Sequence, residues 1–310
     1  MRPKLLPRYA FVAAILLPIG WTANAATLSV NCGSKTGFHS IGAAIKALQS
    51  FESHGPSTIN VSGACHENVL IQGMDRLTLN ALNGASITDA SGGKLDVLHV
   101  IDSRDVSING FTINAGADGV SGSSGINCDD ASICRLSGNT IQGALDAFGL
   151  IVSFEAIARV NGDIFQGNDS GIGVATTSEV QANNFISRNN ATGILVTRGQ
   201  ANIGDCTVEN NSGDGASVSG NALLNVNSCS FSKNGGNGVS LTSGSYARLG
   251  AAIITGNAGS GVFLRDLSMA DFRGARVTGN LGGTDITCAP QYSATRGALQ
   301  TGGTTNCLEP

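Results

Sequence analysis

The chain has 310 residues, 43 of them glycine, with 13% charged, 5% aromatic and a formal charge of −4. With 18 Lys and Arg against 22 Asp and Glu and no basic stripe, the charge balance disfavours nucleic acid and anionic membrane surfaces as partners. Eight cysteines without a single C-x-x-C leave zinc little support and favour disulfides.

In chain order, the first element is a leader. Arg2, Lys4 and Arg8 precede an apolar run from Ala10 to Gly20, and Ala23-Asn24-Ala25 comes next as an A-x-A cleavage site. The pattern predicts a signal peptide over residues 1–25, its apolar run too short to span a bilayer comfortably. Nothing later resembles a membrane helix, so the expected destination is a periplasm or the cell exterior. Cleavage removes three basic and no acidic residues, leaving 15 Lys and Arg against 22 Asp and Glu. It also removes Trp21, the only tryptophan, and leaves Tyr246 and Tyr292 as the remaining tyrosines.

Residues 26–66 read as an N-terminal cap. Within it, SIGAAIKALQSF places Ile41, Ala44, Ile45, Leu48 and Phe51 on one helical stripe, with Ser40 as the N-cap. Such a helix would cover the unpaired strand edge at the start of a stacked β-structure.

Residues 67–287 form a repeat. Gly125, Gly149, Gly171, Gly193, Gly215, Gly238, Gly261 and Gly283 recur every 22 to 24 residues. Three places beyond them stand Cys128, Val152, Val174, Val196, Val218, Leu241, Leu264 and Ile286, a column of inward-sized side chains. A second column runs Ile141, Phe165, Ile186, Val208, Phe231, Ile254 and Val277, and a third runs Leu136, Val160, Ile203, Val226, Leu249 and Phe272. Ile71 and Val100 extend the first column upstream at intervals of 28 and 29 residues, with Leu79 and Ile108 in parallel. Period-two alternation within a period of this length means an all-β solenoid with three short strands per coil and about ten coils. A leucine-rich repeat has a similar length but needs Leu at fixed places, and the Gly and Asn content here disfavours helices.

Gly and Asn crowd the corners, where left-handed backbone angles are expected. Asn168, Asn189, Asn211, Asn234, Asn257 and Asn280 return at one corner, and stacked Asn side chains can bond to one another along a solenoid. Cys206 and Cys229 occupy the same inward place on successive coils, within disulfide reach. Cys128 and Cys134 flank one corner, Cys32 and Cys65 would tie the cap to the first strands, and Cys288 and Cys307 would staple a C-terminal tail over residues 288–310. Eight cysteines allow 105 connectivities, and these pairs are the ones the columns favour.

With these features the chain resembles the right-handed parallel β-helix proteins of the pectin-lyase-like superfamily. The resemblance rests on the lid helix, on a G-x-x-x-E-N turn through Gly63, Glu67 and Asn68, and on N-x-I and G-[IV]-x-[VL] coils over nearly all of the mature chain. It implies a right-handed parallel β-helix and a glycan as the default ligand, on a scaffold that carries lyases, hydrolases, esterases, epimerases, adhesins and inert passengers. The polygalacturonase-like members combine Asn-x-Asp, Asp-Asp, Gly-His-Gly and Arg-x-Lys. Asn127-Cys128-Asp129-Asp130 resembles the first two fused together, and the other two are missing, the four histidines being His39, His54, His66 and His99.

Column arithmetic gathers acids at one corner. If Val100, Cys128 and Val152 stack, Asp102 lies beneath Asp130, with Asp129 and Asn127 beside them, His99 under Asn127 and Glu155 one coil on. Stacked carboxylates repel unless one keeps a proton or a cation lies between, and both arrangements serve active sites. Asp102, Asp129 and Asp130 are therefore the candidate catalytic acids for glycosidic chemistry, with His99, Asn127 and Glu155 as candidate binding residues. No cofactor is required, and calcium is the metal that such oxygen ligands would suit. The competing reading is a solvated corner paired with Arg104 or Arg135. Arg135, Arg159 and Arg248 share an outward column with Asn202, Asn225 and Asp271 that would suit acidic sugars or plain solvent.

The scarcity of Trp and Tyr counts against a long polysaccharide groove, because sugar rings stack best on those side chains. The expectation is thus an exported, disulfide-stapled β-helix acting as a non-catalytic binding or structural element for polysaccharide. The alternative is a polysaccharide lyase or glycoside hydrolase acting on an acidic polymer.

Overall fold

The computed structural model describes residues 25–50, 56–120, 122–289, 294–296 and 303–307. The expected signal peptide lies outside the described residues, apart from Ala25, and so does Phe51 of the helical stripe.

Among the described residues the chain winds through stacked coils whose first strands form a ten-stranded parallel sheet, running from Val69–Gln72 to Ile286–Cys288. Second and third strands join in a 20-stranded system. The two faces count as one sheet because Leu77–Thr88 is long enough to pair with both Val106–Asn109 and Thr112–Asn114. One continuous core of Val, Ile, Leu, Phe and Ala fills the tube, with Ile71, Val100, Ile141, Phe165 and Leu264 fully buried.

Most of the expected columns are the observed register. Ile71, Val100, Cys128, Val152, Val174, Val196, Val218, Leu241 and Leu264 stack coil on coil. The last coil slips by two residues: Cys288 pairs with Leu264, and Ile286 pairs with Val262. In the second column Ser187, not Ile186, stands between Phe165 and Val208. Ser187 is fully buried, and its hydroxyl donates to the Gly193 carbonyl at 2.8 Å while accepting from Asn190 Nδ2 at 3.1 Å. That corner keeps its apolar content through Phe185, whose ring meets Phe165 edge to face at 6.4 Å.

The corner asparagines form a buried ladder in which Asn190, not Asn189, is the member. In Asn168, Asn190, Asn211 and Asn234 the backbone N–H and Nδ2 both donate to Oδ1 of the next asparagine along. Asn257 donates in the same way to Asn280, and the series ends on the Asp285 carboxylate. Each Nδ2 also reaches a carbonyl of the preceding coil, as Asn234 does at Val208.

The left-handed residue is the one just before each ladder asparagine, including Asn189 with φ 56° and Lys233 with φ 55°. The marker glycines answer a third need, since a β-carbon on Gly171 would sit 2.6 Å from the Gly193 carbonyl oxygen. Three adjacent demands, a left-handed residue, a carboxamide and a missing side chain, therefore produce the Gly/Asn-rich corners.

The N-terminal helix Ile41–Ser50 buries Ile41, Ala44, Ile45 and Leu48, and Ser40 Oγ accepts from Ala43 N at 3.2 Å. Four disulfides join Cys32 to Cys65, Cys128 to Cys134, Cys206 to Cys229 and Cys288 to Cys307. These are the pairs that the columns favour, and Cys206 and Cys229 have Cα atoms 4.5 Å apart.

A candidate binding cleft on the first sheet

The site begins with the G-x-x-x-E-N turn. Glu67 points its carboxylate at the helix N-terminus, accepting from Ile41 N at 2.7 Å and Gly42 N at 3.0 Å. Asn68 turns the other way and pins the loop after Thr88. Its Nδ2 donates to Asp89 Oδ1 at 2.7 Å and to the Leu95 and Asp96 carbonyls at 3.0 Å, and its Oδ1 accepts from Ala90 N. Burial alone would raise the Asp89 pKa, but hydrogen bonds from Ser91, Asn68 and Gly93 outweigh it and bring the carboxyl to about 2. An ionised Asp89 thus holds the loop that delivers Asp96.

On the sheet itself, the expected neighbours meet. His99 pairs in register with Asn127 one coil on. Asp96 Oδ1 accepts from Ser124 N at 2.7 Å, and its Oδ2 accepts from Asn127 Nδ2 at 3.0 Å. His99 lies between two acids, with Nδ1 3.9 Å from Asp96 Oδ2 and Nε2 3.6 Å from Asp129 Oδ2. Asp129 Oδ1 in turn accepts from Ser153 Oγ at 3.2 Å. Among the described residues, His99 Nε2 and Asn127 Oδ1 are buried without a hydrogen-bond partner. Buried polar atoms left in that state cost about 1–3 kcal/mol each.

Asp96, His99, Ser124 and Asn127 line a cleft of about 480 Å³, and Asp129 stands behind His99 outside that lining. Its apolar flanks are Leu70, Leu95, Phe148 and Ile151, and exposed Lys94 stands at its rim. Polar groups converging between apolar walls are the usual composition of a small-ligand site.

The other sequence candidates do not enter the cleft. Asp102, Asp130 and Glu155 sit on the exposed corner after the first strands, all with left-handed backbones at φ 49°, 45° and 63°. Among the described residues their carboxylates have no hydrogen-bond or ion-pair partner. The corner is tied down by the Cys128–Cys134 disulfide, which brackets Asp129 and Asp130. The expected partner Arg135 pairs instead with Asp105. Asp96, Lys94, Asn68 and Phe148 are absent from the sequence candidates. They stand at or just before the starts of strands, whereas the acidic pattern in the columns lies at the strand ends.

Among the described residues, the one cluster of three or more His, Cys, Asp or Glu ligand atoms close enough to share a metal is Cys32, Cys65 and Glu67, and a disulfide occupies both sulfurs. Among the described residues, Asp102, Asp129, Asp130 and Glu155 do not form such a cluster.

Comparison with known proteins agrees with the architecture. A model described as the right handed beta helix region matches residues 179–296. The fold resembles that of Geobacillus virus E2 ORF18, with TM-score 0.64, 13% identity, and coverage of 87% of this chain and 62% of that one. It also resembles the Dettilon tailspike protein, with TM-score 0.63, 11% identity, and coverage of 89% and 61%. The chain thus spans about six tenths of either protein. An A-module of the Azotobacter vinelandii mannuronan C-5 epimerase AlgE4 aligns over 87% of this chain and 93% of its own at 12% identity and TM-score 0.46. No curated protein matches the sequence. Stacked parallel coils, the matched region and these two similar folds together define a right-handed parallel β-helix protein. No helix among the described residues is long and apolar enough to cross a membrane.

Proposed function

We propose that this is an exported glycan-binding protein whose ligand site is the cleft over His99 and Asn127. The observation that carries the reading is the pair of buried, unpartnered atoms His99 Nε2 and Asn127 Oδ1 on a floor walled by apolar side chains. A sugar hydroxyl both donates and accepts, so one ring can satisfy an imidazole nitrogen and an amide oxygen while its C–H face covers Leu70 or Phe148. Four disulfides suit an oxidising destination such as a periplasm or the exterior.

The test is a glycan array probed with the mature protein beside Asn127→Ala and His99→Ala. Binding that both variants lose supports the reading. Binding that survives both variants, or no binding at all, overturns it.

A second reading is favoured by one contact. Asp129 lies 3.6 Å from His99 Nε2, an acid and a proton carrier side by side, as a polysaccharide lyase or glycoside hydrolase would need. In it Asp129 acts with His99, while Asp102 and Asp130 on the adjoining corner serve as the further acids, with Glu155 at the edge and calcium as the ion they would gather on substrate binding. Product release from an acidic polymer, lost in Asp129→Asn, would establish it. Calorimetric calcium binding abolished in Asp129→Ala/Asp130→Ala would establish the ion.

A further inference from the structure

We infer that the cleft takes the end of a glycan, one or two sugar units, and excludes the interior of a polysaccharide chain. The inference rests on the reading of the cleft as a glycan site. The outward column of the first sheet runs Leu70, His99, Asn127, Ile151 and Gly173 on successive coils. Two polar side chains therefore lie between two apolar ones. Strands stack about 4.8 Å apart, so the polar floor extends for about 10 Å along the rod, the length of roughly two sugar rings.

Both ends of that floor are walled. At one end Leu70 and Leu95 stand up from the surface, 54% and 60% exposed, with Leu95 on the loop that Asn68 holds. At the other end, Gly173 would have offered a hollow for a chain to run on beyond Ile151. That hollow is filled: a β-carbon at Gly173 would lie 2.8 Å from Ile151 Cδ1 and closer still to the Phe148 ring. Phe148 and Ile151 thus lean across the next coil as one wall. Buried Ser123 and Ser124 close the side from which the strands enter. A polymer lying along the rod would have to climb over Ile151 or Leu70 and so lose the polar floor, whereas a chain end of one or two units fits between those walls.

The experiment is calorimetric titration with gluco-, galacto- and uronate oligosaccharides of one to six units, using wild type, Phe148→Ala/Ile151→Gly and Leu70→Gly. Two variants at opposite walls, each checked by far-UV circular dichroism, keep the test informative if one fails to fold. In wild type, affinity should rise to the disaccharide and then change less than twofold up to six units. In the opened variants it should continue to rise, by tenfold or more between two and six units. A wild-type affinity that grows tenfold from two to six units, while still lost in Asn127→Ala, overturns the end-binding inference and leaves the glycan site standing. Absence of binding at every length overturns both.

Discussion

The Asn234 side chain bonds at once to the coil before it and to the coil after it. Its Oδ1 accepts from the Asn211 backbone and side chain at 3.1 and 2.9 Å, and its Nδ2 donates to Asn257 Oδ1 at 2.9 Å and to the Val208 carbonyl at 3.2 Å. Replacing it by alanine strands several buried groups, at a cost of about 3 kcal/mol or more. At roughly 3 °C per kcal/mol for a chain of this size, Asn234→Ala should melt about 10 °C lower by calorimetry. Asn189→Ala, at the exposed left-handed position, should shift melting by no more than a few degrees. Equal effects of the two would contradict the observed ladder register.

Glu67 provides a second stability prediction. Its two carboxylate oxygens take the first free N–H groups of the lid helix, so Glu67→Ala removes both a cap and a favourable charge at a helix N-terminus. A loss of about 1–2 kcal/mol is expected, with hydrogen exchange accelerated first in residues 41–50. Unchanged exchange in that helix would mean that apolar packing alone holds the lid.

Asp163 gives a pH prediction of definite sign. It is fully buried, and burial pushes its carboxyl up from 3.8 to about 6 even though Asn139 and Asn161 donate to it. The folded state therefore holds a proton that the unfolded chain has released between pH 4 and 6, and stability from this group falls as pH rises through that window. The melting difference between wild type and Asp163→Asn should shrink from pH 4 to pH 6.5 and then level off. A difference that is flat or widens would refute the raised pKa.

The Cys206–Cys229 disulfide links neighbouring coils at the corner where other coils place Phe185 or Ala252. Opening it as Cys206→Ser/Cys229→Ser frees a loop of 23 residues and should cost about 2–4 kcal/mol, seen as earlier denaturant unfolding. If the double variant unfolds at the same denaturant concentration as wild type, the bridge is not a stabilising element.

Much of this fold is legible in the sequence because a solenoid turns a three-dimensional neighbour into a fixed sequence interval. A spacing of 23 suffices to pair Cys206 with Cys229 for that reason. The misplacements have local causes. Ile186 looks like a core residue beside Ser187, but the buried hydroxyl finds two partners and the isoleucine turns outward. Asn189 and Asn190 are chemically identical, and only backbone conformation tells which one carries the ladder. In the last coil Asp285 takes the place that the preceding coil gives to a glycine, which slips the register by two. At the site, His99 and Asn127 are legible because strand register places them, and Asp129 because it lies on the same strand as Asn127. Asp96 is not legible, because its position depends on Asn68 and Asp89 holding an irregular loop, which no periodicity reports.

The central claim is that ligand contacts the floor of the cleft, and the histidine resonances test it most directly. The chain has four histidines, and among the described ones, His39, His66 and His99, it is His99 that lines the cleft. On titration with the oligosaccharide selected by the array, the His99 ring signals in a nitrogen-15 correlation spectrum should move in proportion to saturation while those of His39 and His66 stay within their line widths. Saturable binding that leaves the His99 signals in place would put the ligand elsewhere on the rod and contradict the account.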